Sequence, residues 1–166
     1  MTALNLNDVT TRPETNSEED SAFMRRLFCR LAQVQPLLQM GGQAELLIDM
    51  QLKSREQQYR AMYPGGSFEL ILANGKPIGR LATDCSATPW SLIDIAILPE
   101  FRGQQIGTHF VGKLLESAEN SRTEVRASVH ADNLQARRLW LSLGFQVTEE
   151  RLDYWSLLYS PQQAGG

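Results

Sequence analysis

Residues 92–108, LIDIAILPEFRGQQIGT, decide how this chain is built. The run from Trp90 to Leu98 is almost continuously apolar, the pattern of a central strand covered on both faces. Strand alternation puts Asp94, Ala96 and Leu98 on one face and Ile93, Ile95 and Ile97 on the other. Pro99 cannot donate to a sheet ladder and ends the strand. A glycine-containing turn follows, then a helix from about Gln104 to Asn120. Ile106, Phe110 and Leu114 form its apolar stripe, with Val111, Leu115 and Ala118 beside it.

Upstream, Val9 to Glu14 reads as a short first strand despite Pro13. Ser17 followed by Asp20 is a loose capping box, opening a helix that carries Phe23, Leu27, Leu31 and Val34 until Pro36 discourages it. A second helix spans Gln43 to Met62. Leu46, Leu47 and Met50 make its first half apolar, and its polar second half suits a surface or a cleft wall. After the break at Pro64-Gly65-Gly66, the segments Phe68–Ala73 and Ile78–Thr83 form a hairpin around Asn74-Gly75. Downstream lie a strand at Val125–His130 and a helix opened by Asn133 and ended at Gly144. Strands at Phe145–Glu149 and Tyr154–Tyr159 follow. The expectation is one domain over residues 1–166, frayed over about 1–8 and 160–166, with no internal repeat.

Of the 166 residues, 42% are hydrophobic and 21% charged, with net charge −3, which suits one globular domain and argues against nucleic acid as the main partner. Cys29 and Cys85 stand outside any metal-ligand spacing; they read as reduced packing residues, and no metal is expected. The polar, acidic start lacks a secretory pattern, and no apolar run is long enough to span a bilayer, so a cytoplasmic protein without a membrane partner is expected.

Where the strand meets the helix, unpaired N–H groups and the helix dipole create an anion site. Arg102 brings a fork that matches phosphate, and Gly103 and Gly107 let the backbone approach a ligand. Physical chemistry alone leaves two readings open. One is a phosphate-bearing ligand; the other is an ordinary turn with a surface arginine.

Arg102-Gly103-Gln104-Gln105-Ile106-Gly107, with its I-A-I-L-P-E-F lead-in, resembles the pyrophosphate-binding R/Q-x-x-G-x-G/A motif of the GNAT superfamily of acetyltransferases. Asn133, Ala136, Leu139, Trp140, Gly144 and Phe145 match a second motif of that family, and Val129 also fits. The resemblance covers Val9 to Tyr159. It implies an α/β (α+β) fold: a mixed sheet of about seven strands flanked by four helices and splayed between the fourth and fifth strands. It also implies transfer of an acetyl group from acetyl-CoA to a primary amine, directly and within a ternary complex. The cofactor-binding residues it implies are Ala96, Ile97 and Leu98 on the strand; Arg102, Gly103, Gln104, Gln105, Ile106, Gly107 and Thr108 at the turn; and Asn133, Ala136 and Trp140 on the later helix. The Ile97 backbone N–H would stabilise the oxyanion.

Two departures matter. Gln105 replaces a glycine, and Trp140 replaces a tyrosine that protonates the departing sulfur in many relatives; indole has no such proton to give. A CoA-binding module with weak or lost catalysis is therefore the alternative. Asp94 is the candidate general base, needed because an alkylamine with pKa about 10 is protonated at neutral pH. It is also readable as a structural carboxylate that caps a turn or pairs with Arg80 or Arg126. His130 is a second candidate base, and His109 reads as structural. Tyr59, Tyr154, Tyr159, Gln51 and Gln58 are candidates to line the acceptor site. The acceptor is a small amine, an amino acid or a peptide or protein amine. A homodimer is left open.

Overall fold

A computed structural model describes residues 4–31 and 33–162. It contains a seven-stranded sheet ordered β1-β2-β3-β4-β5-β7-β6. The strands are β1 (Val9–Pro13), β2 (Ser67–Ala73), β3 (Lys76–Asp84), β4 (Trp90–Ile97), β5 (Val125–His130), β6 (Gln146–Glu150) and β7 (Tyr154–Tyr159). The helices are α1 (Glu18–Cys29), α2 (Ala44–Met62), α3 (Ile106–Ser121) and α4 (Leu134–Ser142). Neighbouring strands run antiparallel except β4 and β5, which are parallel.

Local chemistry sets the element ends. Ser17 accepts a hydrogen bond from the Asp20 N–H and caps α1, and Asn133 accepts one from Ala136 and caps α4. Asn74 and Gly75 both adopt positive φ (52° and 78°), the geometry of a two-residue hairpin turn. Gly144 has φ 103° just beyond α4, where a side chain would be strained. The chain also folds where fraying was expected. Residues 6–8 make a 3-10 turn capped by Asn5, and Leu4 and Leu6 pack on the main core; residues 1–3 and 163–166 lie outside the described residues. Pro36 does not leave a plain loop either. Residues 35–43 continue in 3-10 turns, broken at Gly41 by φ 74°.

Two layers cover the sheet. On one face, Ile106, Phe110, Val111, Leu115 and Ala118 of α3 and Trp140 of α4 pack on Ile71, Leu92, Val125, Ala127 and Leu157. On the other, Phe23, Met24 and Leu27 of α1 pack on Leu70, Ala96 and Leu98. Phe68, Ala82 and Ile93 meet Tyr59 of α2 and Tyr63 just after it. The polar half of α2 is thus a cleft wall. Leu52, Arg55, Glu56 and Tyr59 turn inward at helical spacing while Lys53, Ser54, Gln57 and Gln58 are exposed.

Strand β4 corrects the simple alternation. Thr83 of β3 faces Leu92 and Ala82 faces Asp94, leaving Ile93 as the extra residue of a bulge. Ile93 therefore packs beside Tyr59 on the α2 side, the same side as Asp94, instead of opposite it. The parallel β4–β5 pairing covers Trp90–Leu92 against Val125–Ala127 and stops there. Beyond the bulge the two strands diverge, and a cleft opens between them.

Candidate functional site

The antiparallel register fixes which backbone groups face the opening. The Leu98 N–H donates to the Ile78 carbonyl of β3 at 2.9 Å. Alternate residues of a strand present their N–H and C=O to the same side, so Asp94, Ala96 and Leu98 bond toward β3. Ile95 and Ile97 then point theirs toward β5, which no longer pairs with β4 at that level. This narrows the expected strand contacts. Ala96 and Leu98 have their backbone groups committed to β3, whereas Ile97 faces the gap together with Ile95, which sequence reasoning passed over. The Ile97 carbonyl accepts from Arg102 Nε at 3.1 Å.

The turn into α3 continues from this opening. Gly103 has φ 75° and Gln105 φ 63°. Gln105 stands at the N-cap of α3 without a side-chain cap, and its side chain is exposed. The first N–H groups of α3, from Ile106, Gly107 and Thr108, lack intrahelical acceptors, as in any helix. A Cβ at Gly107 would meet only Leu139 Cδ2 at 3.7 Å and Ile95 Cδ1 at 4.0 Å, both ordinary contacts, so protein packing does not require glycine there. Gln104 Oε1 accepts from the Leu4 N–H at 3.2 Å, tying the N-terminal segment to the turn.

The cleft has two arms. One, of about 310 Å³, runs along Asp94, Ile95, Val129, His130, Asn133, Ala136, Trp140 and Tyr154, with Arg55 and Leu31 across it. The other, of about 410 Å³, is bounded by Tyr59, Met62, Tyr63, Arg126, Ser128, Thr148 and Ser156. Tyr59, Leu92, Ile93, Ala127 and Ser128 line both, so the arms are continuous.

Among the described residues Asp94 is the only carboxylate lining either arm. Its Oδ1 accepts from Arg55 Nη2 at 3.0 Å, and Oδ2 lies 3.8 Å from Arg80 Nη1. Of the partners sequence reasoning offered, Arg80 is confirmed. Arg126 instead donates from Nε to Ser91 Oγ, and Arg55, on a helix far away in sequence, was missed. Arg55 also donates from Nε to the Tyr59 hydroxyl at 3.1 Å and stacks on the Tyr59 and Phe28 rings. Burial pushes the Tyr59 phenol pKa up, and the Asp94 charge adds to that rise.

Behind Asp94 lies a buried ionic cluster. Arg80 is wholly buried and grips Glu56 with Nη1 and Nη2 at 2.6 and 2.7 Å. Glu14, following β1, lies 3.6 Å from Arg80 Nε and 3.3 Å from Arg60. Burial raises the Glu14 pKa, and its Oε2 has no hydrogen-bond partner.

Trp140 is 5% exposed, packs against Phe145 with ring centroids 6.3 Å apart and lines the cleft. His130 lines the cleft, with Nδ1 accepting from the Asp132 N–H at 3.3 Å. His109 is on α3, edge-on to Phe110. Tyr59 and Tyr154 line the cleft; Gln51 and Gln58 are exposed outside it. Tyr159 faces the α3 side instead, where its hydroxyl bonds Glu119 and its pKa rises to about 12. Cys29 is half-buried, but Cys85 is exposed on the β3–β4 loop and so does not pack as expected; both are free. Among the described residues no cluster of metal ligands occurs and no helix is long and apolar enough to cross a membrane.

A family profile described as acetyltransferase (GNAT) family matches residues 37–145, and the chain belongs to that family. An uncharacterized N-acetyltransferase from Methanocaldococcus jannaschii is 33% identical over 93 residues. The match spans 49% of this chain and 40% of that relative. Among solved structures, the fold is similar to the PaiA N-acetyltransferase from Thermoplasma acidophilum in complex with coenzyme A. That comparison gives TM-score 0.66 and 16% identity, covering 92% of this chain and 98% of that one. It is also similar to an acetyltransferase from Thermus thermophilus, with TM-score 0.66 and 17% identity over 96% of this chain and 99% of that one. A third likeness is a GNAT family acetyltransferase from Elizabethkingia anophelis with acetyl-CoA bound. There the TM-score is 0.57 and identity 16%, over 93% of this chain and 99% of that one.

Proposed function

We propose that this protein is an N-acetyltransferase that uses acetyl-CoA and a primary amine bound together in the cleft. One observation carries the reading: the edge of β4 at Ile95 and Ile97, unpaired with β5, is followed after the turn of residues 98–105 by the N-terminus of α3. An extended amide chain can join that edge as an added strand while its phosphates meet the α3 N–H groups, Arg102 and the open face of Gly107. Asn133, Ala136 and Trp140 form the opposite wall. Acetyl-CoA supplies the activated acetyl thioester.

In this reading the Ile97 N–H donates to the thioester oxygen, where negative charge develops during attack. The amine enters from the arm bounded by Tyr59 and Tyr63. Asp94 takes the proton that the ammonium must lose, and Arg55 holds the carboxylate toward the cleft. Trp140 excludes water and packs on the ligand; it gives up no proton. The same reading places the enzyme in the cytoplasm, in keeping with its two free thiols.

Thermal unfolding with acetyl-CoA, against ATP and NAD as controls, tests the cofactor. Acetyl-CoA at about 100 times its Kd adds about 2.7 kcal/mol. For a chain of this size each kcal/mol raises the midpoint by about 2–4 °C. Arg102→Ala with Gly107→Glu should abolish the shift and keep the fold. An unchanged shift in that variant would overturn the placement of the phosphates. Acetyl-CoA binding without turnover of any amine would favour the binding-module alternative, which Trp140 and Gln105 support.

A further inference from the structure

We propose that Arg126 selects the acceptor, and that the amine acetylated here carries a carboxylate. The inference rests on the acetyltransferase reading above and deepens it. Arg126 alternates with buried Val125 and Ala127 on β5, so it projects from the α2 face into the larger arm of the cleft. Among the described residues it is the only formally charged one lining that arm, and no carboxylate lines it. A second positive charge on the acceptor would therefore meet repulsion and find no partner. A negative charge would meet a cation.

The guanidinium is held in place. Its Nε donates to Ser91 Oγ at 3.0 Å, and Ser91 is only 3% exposed, so one edge of the fork is fixed on the sheet. Among the described residues its Nη atoms have no protein hydrogen bond, and no acidic group lies within ion-pair distance. Asp84 is the acid in the same cross-strand row, paired with Ser91 in register; its Oδ1 is taken by the Ser86 N–H and hydroxyl. An arginine anchored through Nε presents two parallel N–H donors, the geometry that a carboxylate accepts with both oxygens. A lone arginine also balances a single charge better than the dianion of a phosphate monoester. Tyr59 and Tyr63 give the chain between carboxylate and amine two aromatic walls leading to Asp94.

The test measures acetylation of 3-aminopropanoate, 4-aminobutanoate and 5-aminopentanoate against ethylamine, propylamine and butylamine, at saturating acetyl-CoA. The wild type should favour the carboxylated member by about 10- to 100-fold in kcat/KM for at least one pair. Arg126→Gln should erase that preference by raising KM, leaving kcat and the plain amine unaffected, and Arg126→Lys should restore part of it. Equal use of both members, or an equal loss for both in Arg126→Gln, would overturn the assignment. So would a preference for 2-aminoethyl phosphate. If no amine turns over, saturation-transfer NMR of 4-aminobutanoate against propylamine on the CoA-loaded protein decides the point. Binding that is selective for the carboxylate and lost in Arg126→Gln upholds Arg126 even where catalysis fails. The acetyl-CoA thermal shift separately decides cofactor binding, and turnover of any amine in the panel decides the acetyltransferase reading.

Discussion

Arg80 of β3, with no exposed surface, holds Glu56 of α2 through two parallel hydrogen bonds of 2.6 and 2.7 Å. This pair fastens the polar half of α2 to the sheet, and so sets where Arg55 and Tyr59 stand in the cleft. Glu56→Gln leaves the buried guanidinium short of a counter-charge. It should cost about 2–3 kcal/mol, below the range for a fully buried pair because Glu56 keeps some exposure. Chemical denaturation reads this directly. Glu14→Gln should behave oppositely. Burial raises the Glu14 pKa, so its contribution is present below the unfolded value and is lost as pH rises through the folded one. A permanently neutral side chain avoids that loss, and stability at neutral pH should hold or increase.

Asp20 gives the reverse pH signature. It accepts from Arg12 at 2.7 and 2.9 Å and from both Thr15 donors at 2.8 Å. The Arg12 pairing, against a smaller cost of burial, holds its carboxyl well below the usual range. A depressed folded pKa contributes stability above the unfolded value of about 3.9, lost as pH falls toward the folded one. Asp20→Asn should destabilise the protein by about 2–3 kcal/mol at neutral pH and flatten the fall in stability below about pH 4. An unaltered acid limb would show that this junction does not drive acid unfolding.

Gln105→Gly should stabilise. The residue sits at φ 63°, where a side chain costs about 1–2 kcal/mol, partly offset by the chain entropy of glycine. A net gain of about 0.5–1 kcal/mol is expected, a rise of roughly 1–4 °C in the unfolding midpoint. Removing the side chain should also tighten acetyl-CoA binding, measured by titration calorimetry.

Asp94→Asn should lower kcat about 10²- to 10⁴-fold with little effect on the KM for acetyl-CoA, if the carboxylate takes the amine proton. A loss below about tenfold, with an unchanged pH–rate profile, would leave Asp94 the single task of holding Arg55.

Much of the fold was legible because each element carries its own local signal. Ser17, Asn133 and the Asn74-Gly75 pair announce their caps and turn through side-chain and backbone chemistry that neighbouring residues do not alter. Residues 102–107 and Asn133 stood out as a candidate site through local features, two glycines, an arginine and a helix cap, which only the family resemblance tied to a ligand. What was hidden depends on partners distant in sequence. The bulge at Ile93 is a mismatch in residue count between β3 and β4, and neither strand signals it alone. Arg55 looked like one more charge on a polar helix face; only the packing of α2 on the sheet brings it to Asp94. Arg126 likewise lost its apparent role as a partner for Asp94 once Ser91 proved to hold it.

The short β4–β5 pairing has a mechanical consequence. Three register pairs, Trp90–Leu92 with Val125–Ala127, join two halves of the sheet that diverge beyond them. The molecule resembles a zip fastened at one end. Its teeth at Ile95 and Ile97 stay open in the interior of the protein, so amide protons there should exchange with solvent like those of a surface loop. A ligand laid along that edge closes the zip, and slowed exchange at these two positions would report its arrival before any chemistry takes place.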